Sequence, residues 1–577
     1  MKSIKKLVIL LIVMSFQLSF IPLDTNIFAA RRELSRGKHA MVASQHPLAS
    51  QIGVDVLKRG GNAVDAAIAV ALALAVVYPE AGNLGGGGFM LIRFKDGRTT
   101  AIDYREMAPA ASSRNIFVDN KGELVKGEGS STVGYRAAGV PGTPAGLDLA
   151  FQKYGSKKLK WAELVEPAKK IARDGYVLTA RLANLFQSYK ETLSKYADSN
   201  RIFLNDGKYY EEGDTFKQPD LAKTLERMQK NGAKEFYTGE TARLIAADMK
   251  ANNGLITLED LKNYVTKERV PVRGTYRGYE VISMPSPSSG GIVLLETLNI
   301  LEKFDLRSME YNSSRKYHVL TEALRRSFAD RAEFMGDADF VSVPAAELID
   351  KKYAEKRAAT IDLTKASTSN EIRAGEITGK EPMETTHFTV VDADGNCVTN
   401  TYTINDLYGS RVTAKGTGVL LNDEMDDFAA RPGTANMFGL IQGERNAVAP
   451  KKRPLSAMTP TMVLRKDGSL WFALGARGGP RIITAVLQTV INMIDHDMNL
   501  QQALDAPRLH HQWFPDEILY EPFGMSPDTR IALEKLGHKF AEKPGYVASG
   551  TGIAIEEKTG VRLGAIDARS DGEAIGY

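Results

Sequence analysis

The feature that most constrains this chain is a tight β-hairpin. Thr386-His387-Phe388-Thr389-Val390-Val391 and Cys397-Val398-Thr399-Asn400-Thr401-Tyr402-Thr403 are rich in β-branched and aromatic residues, and Asp394-Gly395 lies between them. Asp-Gly flanked by such runs is a strong short-range hairpin signal. The preceding stretch, 365–384, is polar and turn-rich (Ser367, Thr368, Ser369, Asn370, Gly375, Gly379, Pro382) and reads as a linker that ends at Thr385. A threonine heading a hairpin behind a cleavable linker has a specific chemical use. Once the bond before it is broken, its hydroxyl is a nucleophile and its own α-amine is the adjacent base. Such an amine titrates near ~7.7–8.0, so no histidine is required. Taken alone, Thr385 also fits an ordinary β-branched strand residue.

Composition removes several function classes. The 74 basic and 70 acidic residues nearly balance, and no basic stripe appears, which argues against a nucleic-acid partner. Residues 1–30 have the layout of a secretory signal peptide: Lys2, Lys5 and Lys6, an apolar run from Leu7 to Met14, and small Ala29-Ala30. The unbroken apolar core is shorter than the ~20 residues of a membrane span. A secreted protein, extracellular or periplasmic, with no membrane anchor is expected. Cys397 is the only cysteine, so an internal disulfide is impossible and a core must form without one.

The remaining pattern is mixed. His46 to Lys58 has helical spacing, and Asn62 caps a second helix, Ala63 to Val77, whose apolar residues on every side mark it as buried. Strands are expected at Phe89 to Phe94 and Thr99 to Tyr104. Residues 140–265 read as mainly helical, with Thr257 and Asp260 forming a capping box. Ser286 to Gly291 is a turn feeding another helix, and Lys316 to Met335 is a long one. After Thr385, strand pairs are expected as far as Leu474, then helices at Pro480 to Asp495 and Leu500 to Asp505, then strands near Gly552 to Glu556 and Val561 to Asp567. Two packed sheets with helices outside fit this order.

Common catalytic motifs are missing. There is no His-Glu-x-x-His, no Walker loop and no Gly-x-Ser-x-Gly. His510-His511 reads as a packing or surface pair, not a metal site. Gly85 to Gly88 opens a strand and not a helix, so it lacks the helix N-terminus a phosphate would use; close backbone approach is the better reading.

An ordered set of motifs resembles one family. Asp103-Tyr104-Arg105-Glu106-Met107-Ala108-Pro109, Thr385-Thr386-His387-Phe388, Asn422-Asp423-Glu424-Met425-Asp426-Asp427-Phe428, Lys452-Arg453-Pro454-Leu455-Ser456 and Gly478-Gly479 occur in the order found in γ-glutamyltranspeptidases, which are N-terminal-nucleophile hydrolases. The resemblance spans nearly everything after His39. It implies an α+β fold, a four-layer αββα sandwich, and self-cleavage between Glu384 and Thr385 into a large subunit (31–384) and a small subunit (385–577). It implies Thr385 as nucleophile with Thr403 hydrogen-bonded to it, and Gly478 and Gly479 as an oxyanion hole. Arg105 and Ser456 match residues that hold the donor's α-carboxylate; Asn405, Glu424 and Asp427 match those that hold its α-ammonium. Residues 432–452 match a lid over the donor pocket, with Phe438 where many members have tyrosine. γ-Glutamyl donors such as glutathione and amino-acid or peptide acceptors are the implied partners; no metal or organic cofactor is implied.

Two departures stand out. Ala457 follows Ser456 where a second serine is usual, and Arg477 precedes the two glycines where proline is usual. Arg477 could compensate at the carboxylate or point away. A glutaryl-amide acylase is the neighbouring reading, but glutaryl groups lack the ammonium that Glu424 and Asp427 would bind. A secreted, unprocessed binding protein is a third; it would have no use for Thr385 and Thr403.

Overall fold

The computed structural model describes residues 32–372 and 385–577. The expected signal peptide and Glu384 lie outside the described residues. All that follows concerns the unit Leu34–Tyr577.

The hairpin forms as its sequence demands. Thr386–Val391 pairs antiparallel with Cys397–Thr403 in the register Thr386↔Tyr402, His387↔Thr401. At the turn, Asp392 Oδ1 accepts the Asn396 N–H at 2.9 Å, and Gly395 takes a positive φ of 89°. This hairpin is the centre of a seven-stranded antiparallel sheet. The strand order is Glu573–Gly576, Met41–Ser44, Thr386–Val391, Cys397–Thr403, Gly87–Arg93, Thr99–Asp103 and Lys267–Arg269. A second seven-stranded antiparallel sheet runs Ser35–Gly37, Arg562–Ile566, Ser549–Ile555, Leu470–Arg477, Thr461–Leu464, Tyr279–Ser283 and Val272–Tyr276. Both sheets mix strands from before and after Thr385, so the two halves of the chain share one core.

Strand alternation sorts side chains into layers. Val42, Met90, Ile92, Phe388 and Val390 pack against helices Pro47–Lys58 and Ala63–Val77. Their neighbours Met41, Ala43, Phe89, Leu91 and Cys397 point the other way, into the core shared with Ile282, Met462 and Ala473 of the second sheet. Helices Gly290–Leu301 and Arg481–Ile494 cover that sheet's far side. The result is the αββα order.

The expected all-round burial of Ala63–Val77 holds for every residue of the helix. Asn62 and Asp65 close a reciprocal capping box at its start, with Asn62 Oδ1 accepting from Asp65 N–H at 3.0 Å. Between the sheets, the Gly475 backbone faces the His387 ring; a Cβ at Gly475 would lie 2.4 Å from ring atoms. His387 is fully buried, bonded to Thr401 Oγ1 at 2.8 Å.

Two expectations need correction. Strand pairs do not dominate from Thr385 to Leu474. After Thr403 the chain forms only the short strands Thr413–Ala414 and Val419–Leu420, then single 3-10 turns at Glu424–Asp427 and Glu444–Asn446, before Thr461–Leu464. Positive-φ positions at Asn405, Tyr408, Arg411, Gly416, Gly418, Gly433 and Gly439 interrupt any ladder there. The linker is also shorter than the polar composition suggests. Ser369 is buried, with its N–H on Asp516 Oδ2 at 2.8 Å, and Ala366 N–H donates to Leu536 O at 2.7 Å. A polar side chain buried with partners reads the same in sequence as one in solvent.

Candidate active site

Thr385 stands at the mouth of the hairpin, and the register carries it opposite Thr403. Its Oγ1 donates to Thr403 Oγ1 at 3.3 Å; the same Thr403 oxygen accepts the Asn405 N–H at 2.7 Å. Both threonines are buried. The backbone of Thr403 is held in turn by Asn83, whose Nδ2 donates to Thr403 O at 2.9 Å while its Oδ1 accepts the Gly86 N–H at 3.0 Å. A Cβ at Gly86 would sit 2.0 Å from Thr403 O. The glycine run is therefore a close-approach element that lets one loop brace the threonine pair, as its strand-opening position suggests.

Arg105 leaves the end of strand Thr99–Asp103 and is fully buried. Its guanidinium is bonded to both Glu424 and Asp427, with Glu106 at 3.4 Å and Pro454 O at 3.2 Å from Nε. Glu424 and Asp427 come from one 3-10 turn. Asn422 fixes that turn, accepting the Glu424 N–H at 3.0 Å and donating to the Gly85 and Gly139 carbonyls at 2.8 Å each. Arg453 clamps the other side, bonding Asp103 Oδ1 at 2.8 Å and Arg105 O at 2.9 Å. Burial works against the Arg105 cation, but Glu424, Asp427 and Glu106 more than offset it and raise its pKa. Burial likewise raises Glu424 well above the carboxylate range and raises Asp427, with Arg105 opposing both; Glu106 is pushed up to about 7.

Ser456 follows Pro454-Leu455 in an extended segment. Its N–H donates to Pro287 O at 2.9 Å and its carbonyl accepts from Ser289 N–H and Oγ at 2.8 and 2.7 Å. Gly478 and Gly479 link strand Leu470–Arg477 to helix Arg481–Ile494 with φ of 137° and 54°, the range in which glycine is favoured. The Phe438 ring lies over Gly479, 3.1 Å from where its Cβ would be. The segment that carries Phe438 is tied down by Met437 N–H to Asp426 Oδ2 at 2.9 Å and by Gln512 Nε2 to Phe438 O at 3.0 Å.

These residues share one cavity. Thr385, Thr403, Asn405, Arg105, Glu424, Asp427, Ser456, Phe438 and Gly479 all line it, and Gly478 stands one residue behind. Ala457 lines it too, so the departure from a second serine falls on the wall itself. Arg477 does not; its guanidinium lies 5.7 Å from the Tyr78 ring and 6.0 Å from the Tyr546 ring. Arg331, from helix Ser314–Phe334, also lines the cavity. Nothing in the periodicity of a long helix marks it; Asn83 lies outside the motifs that carry the resemblance, and Arg453 lies within one without a role implied for it. His510 and His511 are buried packing groups, bonded to Thr484 Oγ1 at 2.8 Å and Asp516 Oδ1 at 3.3 Å. Among the described residues, no cluster of three or more His, Cys, Asp or Glu is disposed to hold a metal.

A hydrogen-bonded pair of threonine hydroxyls thus stands beside a buried cluster of one guanidinium and three carboxylates, charges of both signs such as a zwitterion needs. The gamma-glutamyltranspeptidase family model matches residues 49–577 of this chain. The chain belongs to the γ-glutamyltranspeptidase family. It is an enzyme of the N-terminal-nucleophile hydrolase type, an acyltransferase and hydrolase. The glutathione hydrolase proenzyme of Escherichia coli K12 is 49% identical over 544 residues, covering 94% of this chain and 92% of that protein. Cephalosporin acylase from Bacillus halodurans superposes with a TM-score of 0.85 at 28% identity, covering 97% and 99% of the two chains. The γ-glutamyltranspeptidase of Helicobacter pylori has a TM-score of 0.56 and 48% identity, covering 57% of this γ-glutamyltranspeptidase-family chain and 94% of that one.

Proposed function

We propose that this member of the family is an exported, self-processing γ-glutamyltransferase and glutathione hydrolase. The hydrogen-bonded Thr385–Thr403 pair, opening on the Arg105–Glu424–Asp427 cluster, carries the reading. In processing, Thr385 Oγ1 attacks the Glu384 carbonyl. The C–N bond breaks, the nitrogen becomes the Thr385 α-amine, and Glu384 is held as an ester until water releases its carboxylate. The fragments 31–384 and 385–577 then remain together through the two shared sheets.

In turnover, the α-amine takes the Thr385 hydroxyl proton as Oγ1 attacks the γ-carbonyl of the donor. The N–H groups of Gly478 and Gly479 meet the oxyanion; loss of one such donor typically costs ~3–4 kcal/mol of activation energy. The proton passes to the departing amine, leaving a γ-glutamyl ester on Thr385. Water then gives hydrolysis, and an amino acid or peptide amine gives transfer. Arg105 and Ser456 hold the donor's α-carboxylate, with the Arg105 Nη groups sharing their N–H donors between that carboxylate and Glu424 and Asp427. Asn405, Glu424 and Asp427 hold its ammonium. Burial raises the pKa values of Glu424 and Asp427, and the donor's ammonium brings those two acids a further cation. Phe438 closes over the acyl chain and excludes water.

The fold similarity to cephalosporin acylase supports a second reading, cleavage of glutaryl amides. The two buried acids at the ammonium site favour the first. The deciding experiment begins with a denaturing gel of the purified protein. The smaller band should start Thr-Thr-His-Phe-Thr-Val-Val, and Thr385→Ala should leave a single inactive chain. γ-Glutamyl and glutaryl p-nitroanilides are then compared side by side. An active enzyme still continuous through residue 385 would sink the mechanism, and a preference for the glutaryl anilide would favour the acylase.

A further inference from the structure

Arg331 is the cavity's second guanidinium, and nothing in the mechanism above uses it. It projects from helix Ser314–Phe334 and is 2% exposed. Its Nε donates to Ser289 Oγ at 2.8 Å, and Ser289 Oγ donates to Ser456 O at 2.7 Å. Its Nη1 is buried with no hydrogen-bonding partner among the described residues. Arg105 is in the opposite condition, with both Nη atoms taken by acids. Burial lowers the Arg331 pKa to about 10, with Asp427 opposing, so the side chain is cationic at neutral pH. A buried cation with an empty donor is costly until an anion reaches it. Ala457 sits on the same wall and supplies no hydroxyl.

We propose that Arg331 binds the α-carboxylate of the γ-glutamyl donor, alongside Arg105, and takes over the part of that contact which Ala457 cannot make. The proposal rests on the donor reading of this cavity. It makes Arg331 a specificity-determining residue: one anchored atom, Nε, fixes the guanidinium through Ser289 to the Ser456 segment, which leaves Nη1 for the incoming carboxylate.

The test compares γ-glutamyl p-nitroanilide with 4-aminobutyryl p-nitroanilide, which has the ammonium but a hydrogen in place of the carboxylate. Arg331→Gln should raise KM for the γ-glutamyl substrate about 10- to 100-fold, the effect of losing one charged hydrogen bond. It should leave kcat nearly unchanged and the 4-aminobutyryl substrate unaffected. Arg331→Lys should recover part of the loss, and it carries the same comparison should the glutamine variant not fold. An unchanged γ-glutamyl KM, or equal losses on both substrates, overturns the proposal; equal losses would mean that Arg331 acts only through Asp427 or the fold. The donor reading fails separately, when the parent prefers the glutaryl anilide. Glutaryl retains the carboxylate, so Arg331 is then tested by the same variants on glutaryl against butyryl anilide.

Discussion

Thr403 Oγ1 receives two hydrogen bonds, one from Thr385 Oγ1 at 3.3 Å and one from the Asn405 backbone N–H at 2.7 Å. The second donor fixes the oxygen on which the first depends. Thr403→Val keeps the shape and removes the oxygen. It should slow both self-cleavage and acyl transfer about 10- to 100-fold, whereas Thr403→Ser should keep most of each. Gel time courses of processing and steady-state kcat read the two steps. Parental rates in Thr403→Val would remove Thr403 from the mechanism.

Ala457 stands on the cavity wall where a second serine is usual in the expected carboxylate clamp. Ala457→Ser should lower KM for γ-glutamyl p-nitroanilide by about tenfold, the lower end expected for a gained hydrogen bond to a charged group. The 4-aminobutyryl analogue should show no change. A shift common to both substrates would place the effect on the acyl chain instead.

Gly475 tests the join between the sheets. Gly475→Ala would put a Cβ 2.4 Å from the His387 ring, so one sheet or the ring must move. Overpacking of this kind costs about 1–3 kcal/mol. A lowered urea midpoint is expected, and the additional change His387→Ala should restore part of it. If the single variant unfolds like the parent, the inter-sheet contact is looser than described.

His387 also makes stability depend on pH. Burial lowers its pKa from 6.5 to about 3. The unfolded chain takes up a proton below about 6.5, while the native ring stays neutral until about 3. The resulting stability is complete above 6.5 and is lost as pH falls through that window. The parent should therefore lose more stability than His387→Gln between pH 7 and pH 4, measured as urea midpoints. Parallel curves would contradict the buried neutral ring.

The local code was legible wherever one segment settles its own structure. The Asp394-Gly395 hairpin, the Asn62-capped helix Ala63–Val77, the Thr257–Asp260 box and helix Leu500–Asp505 depend on turn chemistry, caps and periodicity within a few residues. The motif order pointed to the family and to the cavity's polar residues apart from Arg331, but not to its apolar wall of Leu440, Met458, Pro480 and Ile482. The stretch from Asn405 to Pro460 was misread because its conformation is set by what it packs against. Asn422 is fixed by the Gly85 and Gly139 carbonyls, and Asp427 by Arg105, all distant in sequence.

The sequence by itself determined the hairpin, the threonine at its head and the kinds of charge the site would need. Only the tertiary structure decided how those charges pair. It joined Arg105 to both acids, turned Arg477 onto two tyrosine rings, and brought Arg331 from a helix to the cavity wall. The physical reason is that a long cationic side chain goes wherever burial and distant partners hold it, and neither is written in its own neighbourhood.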